Sequence, residues 1–438
     1  MARALVRTGF GGPTANTTAF DCSTATGVTV SVGTGGSVAF DPAMPSPRST
    51  LGSLRMVQPT ISSSFVQFTK DVSPVIPASQ TRGIGLWVKV LDHETAPVPV
   101  SVSFGVYFGA TPGDTSGGFA TCVANFSGSR SGQWYFIAGE RSKVTYGGGA
   151  SATSWTTASV TRVIVQRYGT ASEAPFWIGG IELCYAARPK LLLSFDGQYV
   201  SVRDYVAPLM ATRGLVGTMF VSWDNLGSGR MTQSDLTALL AAGWDLGPRK
   251  FAQNNIGYDD ASYTTAEQIT TDILRAQRAC VDAGGTVLGS RVQCIPQTNP
   301  WSAGNSYAIR QRCEQAFVDA DVIAARLGSE VPSGVGNGMS TNQFDETGTI
   351  GHLQFVFSRQ LHNTVTSAAA LADVDEAIKL GSTMSHYMHQ TAAAGSSGVW
   401  SEANTLAYLN GVEARVKAGL IDVVTWAEWL ESSQGRAT

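Results

Sequence analysis

The chain has 438 residues, 43% hydrophobic and 14% charged, which supplies enough apolar material for sizeable cores in two or three domains. Its net charge of −3 gives no electrostatic hold on nucleic acid, and no apolar run reaches bilayer-spanning length, so neither a nucleic-acid partner nor membrane insertion is expected. With 48 glycines and 17 prolines, turns and short strands are favoured over a helical bundle. The opening residues Met1 to Arg7 lack the apolar core of a secretory signal, so folding in a cytoplasm is expected. Cys22, Cys122, Cys184, Cys280, Cys294 and Cys313 show no CxxC spacing and read as buried reduced thiols.

In chain order, the first strand candidates are Val28–Val32, Phe65–Phe68, Ile84–Leu91, Val98–Phe108, Gln133–Ile137, Val160–Gln166 and Phe176–Leu183. Several alternate with period two, and Gly/Ser/Thr-rich turns separate them. This pattern predicts an antiparallel β-sandwich of jelly-roll type over residues 1–187. The strand aromatics Trp87, Tyr107, Phe108, Trp134, Tyr135 and Trp177 read as core. Segments 111–118, 127–132 and 146–157 read as loops.

The texture changes near Ala186-Ala187-Arg188-Pro189, and residues 188–438 alternate strands with amphipathic helices. Lys190–Phe195 suits a strand buried on both faces. A helix follows with Val202, Val206, Leu209 and Met210 on one side, then the strand Leu215–Val221. Thr232 and Asp235 start a helix carrying Leu236, Leu239 and Leu240, and Gly243 stops it. After the short strand Trp244–Gly247, Thr264 to Glu267 open a helix carrying Ile269, Ile273, Ala276 and Cys280, ended by Gly284-Gly285. Arg291–Ile295, Asp321–Ala325 and Ser382–Met388 are strands. Ser401 caps a helix carrying Leu406, Leu409, Val412 and Val416 that Gly419 closes before the strand Leu420–Thr425. Repeated β-α units make a parallel sheet, closed or nearly closed as a barrel. Residues 328–349, rich in Gly, Ser, Thr and Asn, read as a long loop over one end of it.

Barrel chemistry gathers where strands end at their C-terminal side. Four such places stand out: Ser194-Phe195-Asp196-Gly197-Gln198-Tyr199; Gly243-Trp244-Asp245-Leu246-Gly247-Pro248-Arg249, continuing to Gln253; Cys294-Ile295-Pro296; and Ser385-His386-Tyr387-Met388-His389-Gln390. In order and spacing this set resembles the polysaccharide deacetylase family, the NodB-type carbohydrate esterases, across roughly residues 190–430. The ordered set carries the resemblance, not any one motif. It implies an irregular (β/α) barrel that removes N- or O-acetyl groups from sugars. It also implies an aspartate base, a divalent metal such as zinc held by a second aspartate and two histidines, and a late histidine as acid.

The sequence departs from that pattern at the metal. Asp196 takes the base position, but Gly197, Arg249 and Gln253 take the three ligand positions, and none of them replaces a carboxylate or an imidazole. No metal or other cofactor is therefore expected. Cys294 stands where the family's Pro-containing motif has an arginine. Of the two late histidines, His389 fits the strand end better than His386. A buried Asp196 needs a countercharge, and Arg249 is predicted to supply it as a salt bridge in place of the metal. Asp245 reads as structural. Tyr199, Trp223, Trp301 and Trp400 are weighed as sugar-stacking platforms against core packing. His93, His352 and His362 read as structural or surface residues.

Three functions follow as expectations. The first is an inactive glycan-binding protein whose cleft uses Tyr199, Trp223, Arg249, Gln253 and Trp301. A β-sandwich beside such a barrel resembles a carbohydrate-binding module, and the absent signal with the sandwich-barrel layout resembles phage tail fibre or tail-tip receptor-binding proteins. A virion-tail location is then expected, with bacterial surface polysaccharide, other tail proteins and further copies of the chain, for example in a trimer, as partners. The second is a deacetylase acting through Asp196 and His389 without a standard metal, with Arg249 steadying an oxyanion. The third is a purely structural virion component.

Overall fold

The computed structural model describes residues 17–32, 36–46, 49, 51–57, 65–81, 83–90, 100–125, 134–140, 144–169, 176–184, 189–227, 229–252, 257–295, 307–327, 354–380 and 383–433. Gln253, Trp301, His93, His352 and the loop expected over 328–349 lie outside them.

The first part contains β1 (Thr17–Phe20), β2 (Val28–Val32), β3 (Ser37–Asp41), β4 (Ser53–Val57), β5 (Val66–Pro77), β6 (Gly83–Val90), β7 (Val100–Gly109), β8 (Phe119–Asn125), β9 (Trp134–Glu140), β10 (Thr145–Gly147), a short α1 (Ser154–Thr157), β11 (Ser159–Gly169) and β12 (Phe176–Cys184). They form two antiparallel sheets. One runs β3-β4-β12-β6-β9 with β1 also on β12, and the other β10-β8-β7-β11-β5-β2. The expected sandwich is present. Its core is built by alternation: Ile84, Leu86 and Val88 of β6 face Phe68, Val102, Phe104 and Val163 of the opposite sheet in one cluster of buried side chains. Trp87, from the other face of β6, belongs with Trp177 to the second cluster, which holds the core of the following part. The first sheet is therefore packed on both faces, and the β-sandwich and its neighbour share apolar surface.

The second part begins with β13 (Lys190–Asp196), a helical turn Val202–Val206 running into α2 (Ala207–Ala211), β14 (Thr218–Ser222), α3 (Gln233–Ala241), β15 (Asp245–Lys250), α4 (Ala266–Asp282), α5 (Val287–Ser290) and β16 (Val292–Cys294). It continues with α6 (Tyr307–Asp319), β17 (Ala324–Leu327), β18 (Gln354–Phe357), β19 (Arg359–Gln360), α7 (Ser367–Leu380), β20 (Thr383–Met388), β21 (Gln390–Ala392), β22 (Val399–Ser401), α8 (Glu402–Lys417), β23 (Asp422–Val424) and α9 (Trp426–Ser433). The ladders β15-β14-β13-β20-β19 and β16-β17-β18 are all parallel. Strands β13 to β20 thus succeed one another around a ring that closes where β20 pairs with β13. The ladder is interrupted between β15 and β16 and between β18 and β19. This is an irregular α/β barrel. β23 pairs with Lys190–Leu192 while β14 pairs with Ser194–Asp196, so the two divide the length of β13.

Local chemistry explains the boundaries. A capping box closes on Thr232 and Asp235 at the start of α3. At α4 the box is formed by Thr265 and Gln268, one residue beyond the predicted start, because the Gln268 side chain reaches back to the backbone of Thr265. The predicted stripe of α8 is also offset. Leu406 is 37% exposed, while Thr405, Tyr408, Leu409 and Val412 face the core, since residues four apart share one side of a helix. Helix α3 turns into β15 through Gly243, whose φ of 85° is open to glycine at no steric cost.

Candidate functional site

The C-terminal ends of the barrel strands surround a cavity of about 480 Å³. Asp196, the last residue of β13, enters it from a turn that the sequence constrains tightly. Gly197 and Gln198 both adopt left-handed φ, 78° and 42°. The fully buried Gln198 side chain pins that turn to β14, donating to Ser222 O at 2.6 Å and accepting from Ser222 N at 3.0 Å. Gly197 N donates to Phe220 O, and Arg230 Nη1 donates to Gly197 O at 2.9 Å. The Asp196 carboxylate is thereby held at the cavity floor, 3% exposed.

Its countercharge is Arg326 from β17, 2% exposed, whose Nη2 donates to Asp196 Oδ2 and contacts Cys294 Sγ. The predicted partner, Arg249, lines the same cavity but sends Nη1 to Ser222 Oγ at 3.0 Å. The expected Arg249–Asp196 bridge is corrected to Arg326–Asp196. The physical reason is strand order: Arg326, near the end of β17, faces the end of β13 across the barrel, whereas Arg249, near the end of β15, meets β14 first. Burial opposes the charge of Arg326, but Asp196 and Cys294 outweigh it and hold the guanidinium above its ordinary value. Arg326 thus stands against Cys294, the position at which the resemblance implied an arginine. Burial pushes the Cys294 thiol up to about 12, so it stays protonated.

Arg326 lies over the Tyr387 ring, 4.0 Å from its centroid, and Arg230 over the Tyr199 ring at 3.3 Å. Tyr387 OH donates to Gln360 Oε1, and Gln360 Nε2 meets His389 Nδ1 at 3.1 Å. His389, just after β20, lines the cavity, and desolvation pushes its pKa down against the pull of Asp196. His386 does not line it. Its ring is fully buried, with Nδ1 2.7 Å from Tyr408 OH and Nε2 3.6 Å from Asp373. Polar side chains of Asn225, Gln390 and Ser397 complete the lining.

The structure brings Asp196, Tyr199, Arg249 and His389 together in the lining of one cavity. Trp223 is the exception: it packs against the barrel core, and Asn225 of the same turn (Trp223–Asn225) is the residue that reaches the cavity. Trp400 is fully buried, its indole N–H donating to Val365 O, so it is core. Asp245 is structural, accepting from Thr286 N, Thr286 Oγ1 and Leu246 N. His362 bonds its neighbours Asn363 and Thr364 at the surface. Arg326, Arg230, Tyr387 and Gln360 were not singled out as site residues. Arg326 had a signal: it directly follows the strand candidate 321–325, the position where barrel strands present their chemistry.

These residues do not fit a divalent metal. Gly197 offers no side-chain donor, Arg249 and Arg326 carry fixed positive charge, and the one carboxylate among the described lining residues is already engaged by a guanidinium. Among the described residues no three His, Cys, Asp or Glu side chains gather as a ligand set. Cys22, Cys122, Cys280, Cys294 and Cys313 are buried and form no disulfide, as expected.

No family model matches the sequence, and no curated protein does. Among solved structures, the Xyl-CE4 domain of a multidomain xylanase from the hindgut metagenome of Trinervitermes trinervoides is 14% identical. That match covers 57% of this chain and 96% of that one with a TM-score of 0.35. A family 4 carbohydrate esterase from Streptomyces lividans, in complex with acetate, is 16% identical over 55% of this chain and 92% of its own, TM-score 0.29. A family 11 carbohydrate-binding module from Clostridium thermocellum, in complex with a mixed-linked tetrasaccharide, is 12% identical over 37% of this chain and 91% of its own, TM-score 0.28. At these values the likenesses transfer no residue roles to this chain.

Proposed function

We propose that the protein binds a glycan in the barrel cavity without hydrolysing it. The observation that carries this reading is the Arg326–Asp196 pair: the carboxylate placed where a base would act is engaged by a buried guanidinium, in a cavity that still presents sugar-binding chemistry. Tyr199 offers an aromatic face, and Asn225, Gln360, Gln390 and Ser397 offer hydrogen-bonding groups suited to hydroxyls. Set on a virion tail, as the texture of the sequence suggests, such a cleft would attach a particle to bacterial surface polysaccharide. The test is binding of the purified full chain to extracted surface polysaccharides, alongside assay of released acetate. Saturable binding that weakens about tenfold in Tyr199→Ala, with no acetate, is expected. Acetate released at a rate that Asp196→Asn abolishes would overturn the reading.

A second reading, a metal-independent deacetylase, has one observation in its favour. Asp196 Oδ1 is buried and has no hydrogen-bond partner, so a lone pair remains for a proton. The same acetate assay decides between the two.

A further inference from the structure

We propose that the glycan taken by this cavity is acidic, and that the Arg230–Arg249 side of the cavity receives its anionic substituent, a carboxylate or a phosphate on a sugar. The inference deepens the glycan-binding reading and rests on it.

The described lining residues include three guanidinium groups, Arg230, Arg249 and Arg326, and one carboxylate, Asp196. The Asp196–Arg326 pair cancels internally and lies at the floor, almost wholly excluded from water. Arg230 stands outside that pair: it has no carboxylate partner among the described residues, uses one of its N–H donors on Gly197 O, and lies over the Tyr199 ring, 3.3 Å from its centroid. A guanidinium fixed on an aromatic face keeps its remaining edge donors in a set plane, the geometry that grips a carboxylate or phosphate with two parallel bonds. Arg249 is anchored to Ser222 Oγ and only 7% exposed, so a nearby anion meets it in a partly desolvated setting where Coulomb attraction is strong. His389 adds no positive charge at neutral pH, because burial favours its neutral form. The arrangement that repels a divalent cation therefore attracts an anion. Tyr199 would meet the sugar only on the ring face that Arg230 leaves uncovered.

The experiment is calorimetric titration of the full chain at fixed ionic strength, in chloride, with three oligosaccharides: an oligogalacturonate, its carboxyl-reduced neutral counterpart, and a phosphorylated oligomannoside. Preference for an acidic sugar over the neutral one by about tenfold or more is expected, and it should fall to about threefold or less in Arg230→Gln. Whichever acidic sugar binds identifies carboxylate or phosphate as the source. Arg230→Gln keeps a donor for Gly197 O and sits at a half-buried site, so it should fold; Arg249→Gln serves as a second probe, with circular dichroism as control. Equal affinity for neutral and acidic sugars overturns the anion inference and leaves glycan binding standing. An acidic preference unchanged in both variants overturns the placement at Arg230 and Arg249. No binding by any of the three overturns this inference together with the reading on which it rests.

Discussion

Asp196 and Arg326, 130 positions apart in the chain, form an ion pair whose side chains are 4% and 2% exposed. Two charges removed from water to this degree stabilise the fold only as a pair. Removing one partner leaves an uncompensated buried charge, at a cost of about 3–5 kcal/mol, whereas replacing both with neutral groups of similar volume is near neutral. Asp196→Asn and Arg326→Met are each expected to lower stability by about that amount, and the double variant to recover most of the loss. Urea unfolding of the four proteins measures the coupling. Additive losses in the double variant would show that the pair is not the unit of stability.

The two late histidines predict a pH dependence. Burial holds the folded-state pKa of both His386 and His389 below the ordinary histidine value. Both are then neutral in the folded protein, while the unfolded chain takes up protons near pH 6.5. Their contribution is fully present above about pH 6.5 and is lost as the pH falls from there toward the folded values. Each histidine adds at most about 1.4 kcal/mol per pH unit to the slope inside that window. The midpoint of thermal unfolding is expected to fall between pH 7.5 and 5.5, and His386→Gln to flatten the fall. An unchanged slope in both His386→Gln and His389→Gln would assign the acid sensitivity to the carboxylates.

The cavity is not expected to retain zinc, and restoring one acidic residue will not change that. A Cβ at Gly197 would lie 3.5 Å from Arg230 Nη1 and 3.4 Å from Tyr199 Cε2, so there is room for a side chain. The φ of 78° strains most residues there but is tolerable for aspartate. In Gly197→Asp the new carboxylate should pair with Arg230 and leave zinc content after dialysis at background, because Arg249 and Arg326 remain beside it. Elemental analysis checks this. Stoichiometric zinc in the parent chain, lost in Asp196→Ala, would contradict the account of the site.

Much of this site was legible because strand ends carry a local signal. Asp196 terminates an apolar run with Tyr199 just past it, and Arg249 and His389 stand at or just past the ends of others, so position alone nominated them. The choice of countercharge was not legible. Arg249 and Arg326 both stand near the ends of strands, and which of them meets Asp196 depends on the path around the ring, a long-range property that no local window contains. Cys294 pointed to a missing arginine without saying that β17 would return one. Trp223 looked like a loop-tip aromatic, but the turn after β14 buries its indole and presents Asn225. In the first part, alternation in β6 revealed a strand with two faces, but it could not say that the Trp87 face would be covered by a barrel.

That covered face gives the last prediction. Trp87 and Trp177 are 1% and 5% exposed, and both belong to the buried cluster of the barrel although they stand on strands of the sandwich. Their indole N–H groups are satisfied within the sandwich, Trp87 by Glu182 at 2.6 Å and Trp177 by Asp41 at 2.8 Å. The rings are therefore oriented by the sandwich and their apolar surface is used against the barrel. Truncating such a ring removes contacts worth about 3–5 kcal/mol and leaves a cavity that rigid sheets cannot close. The parent chain is expected to unfold in one transition, because neither part can expose that surface cheaply. Trp177→Ala should lower the midpoint and separate the sandwich and barrel transitions, read by calorimetry together with near-ultraviolet circular dichroism. Two transitions already present in the parent chain, with the lower one unmoved by the substitution, would show that the shared cluster does not couple the two parts.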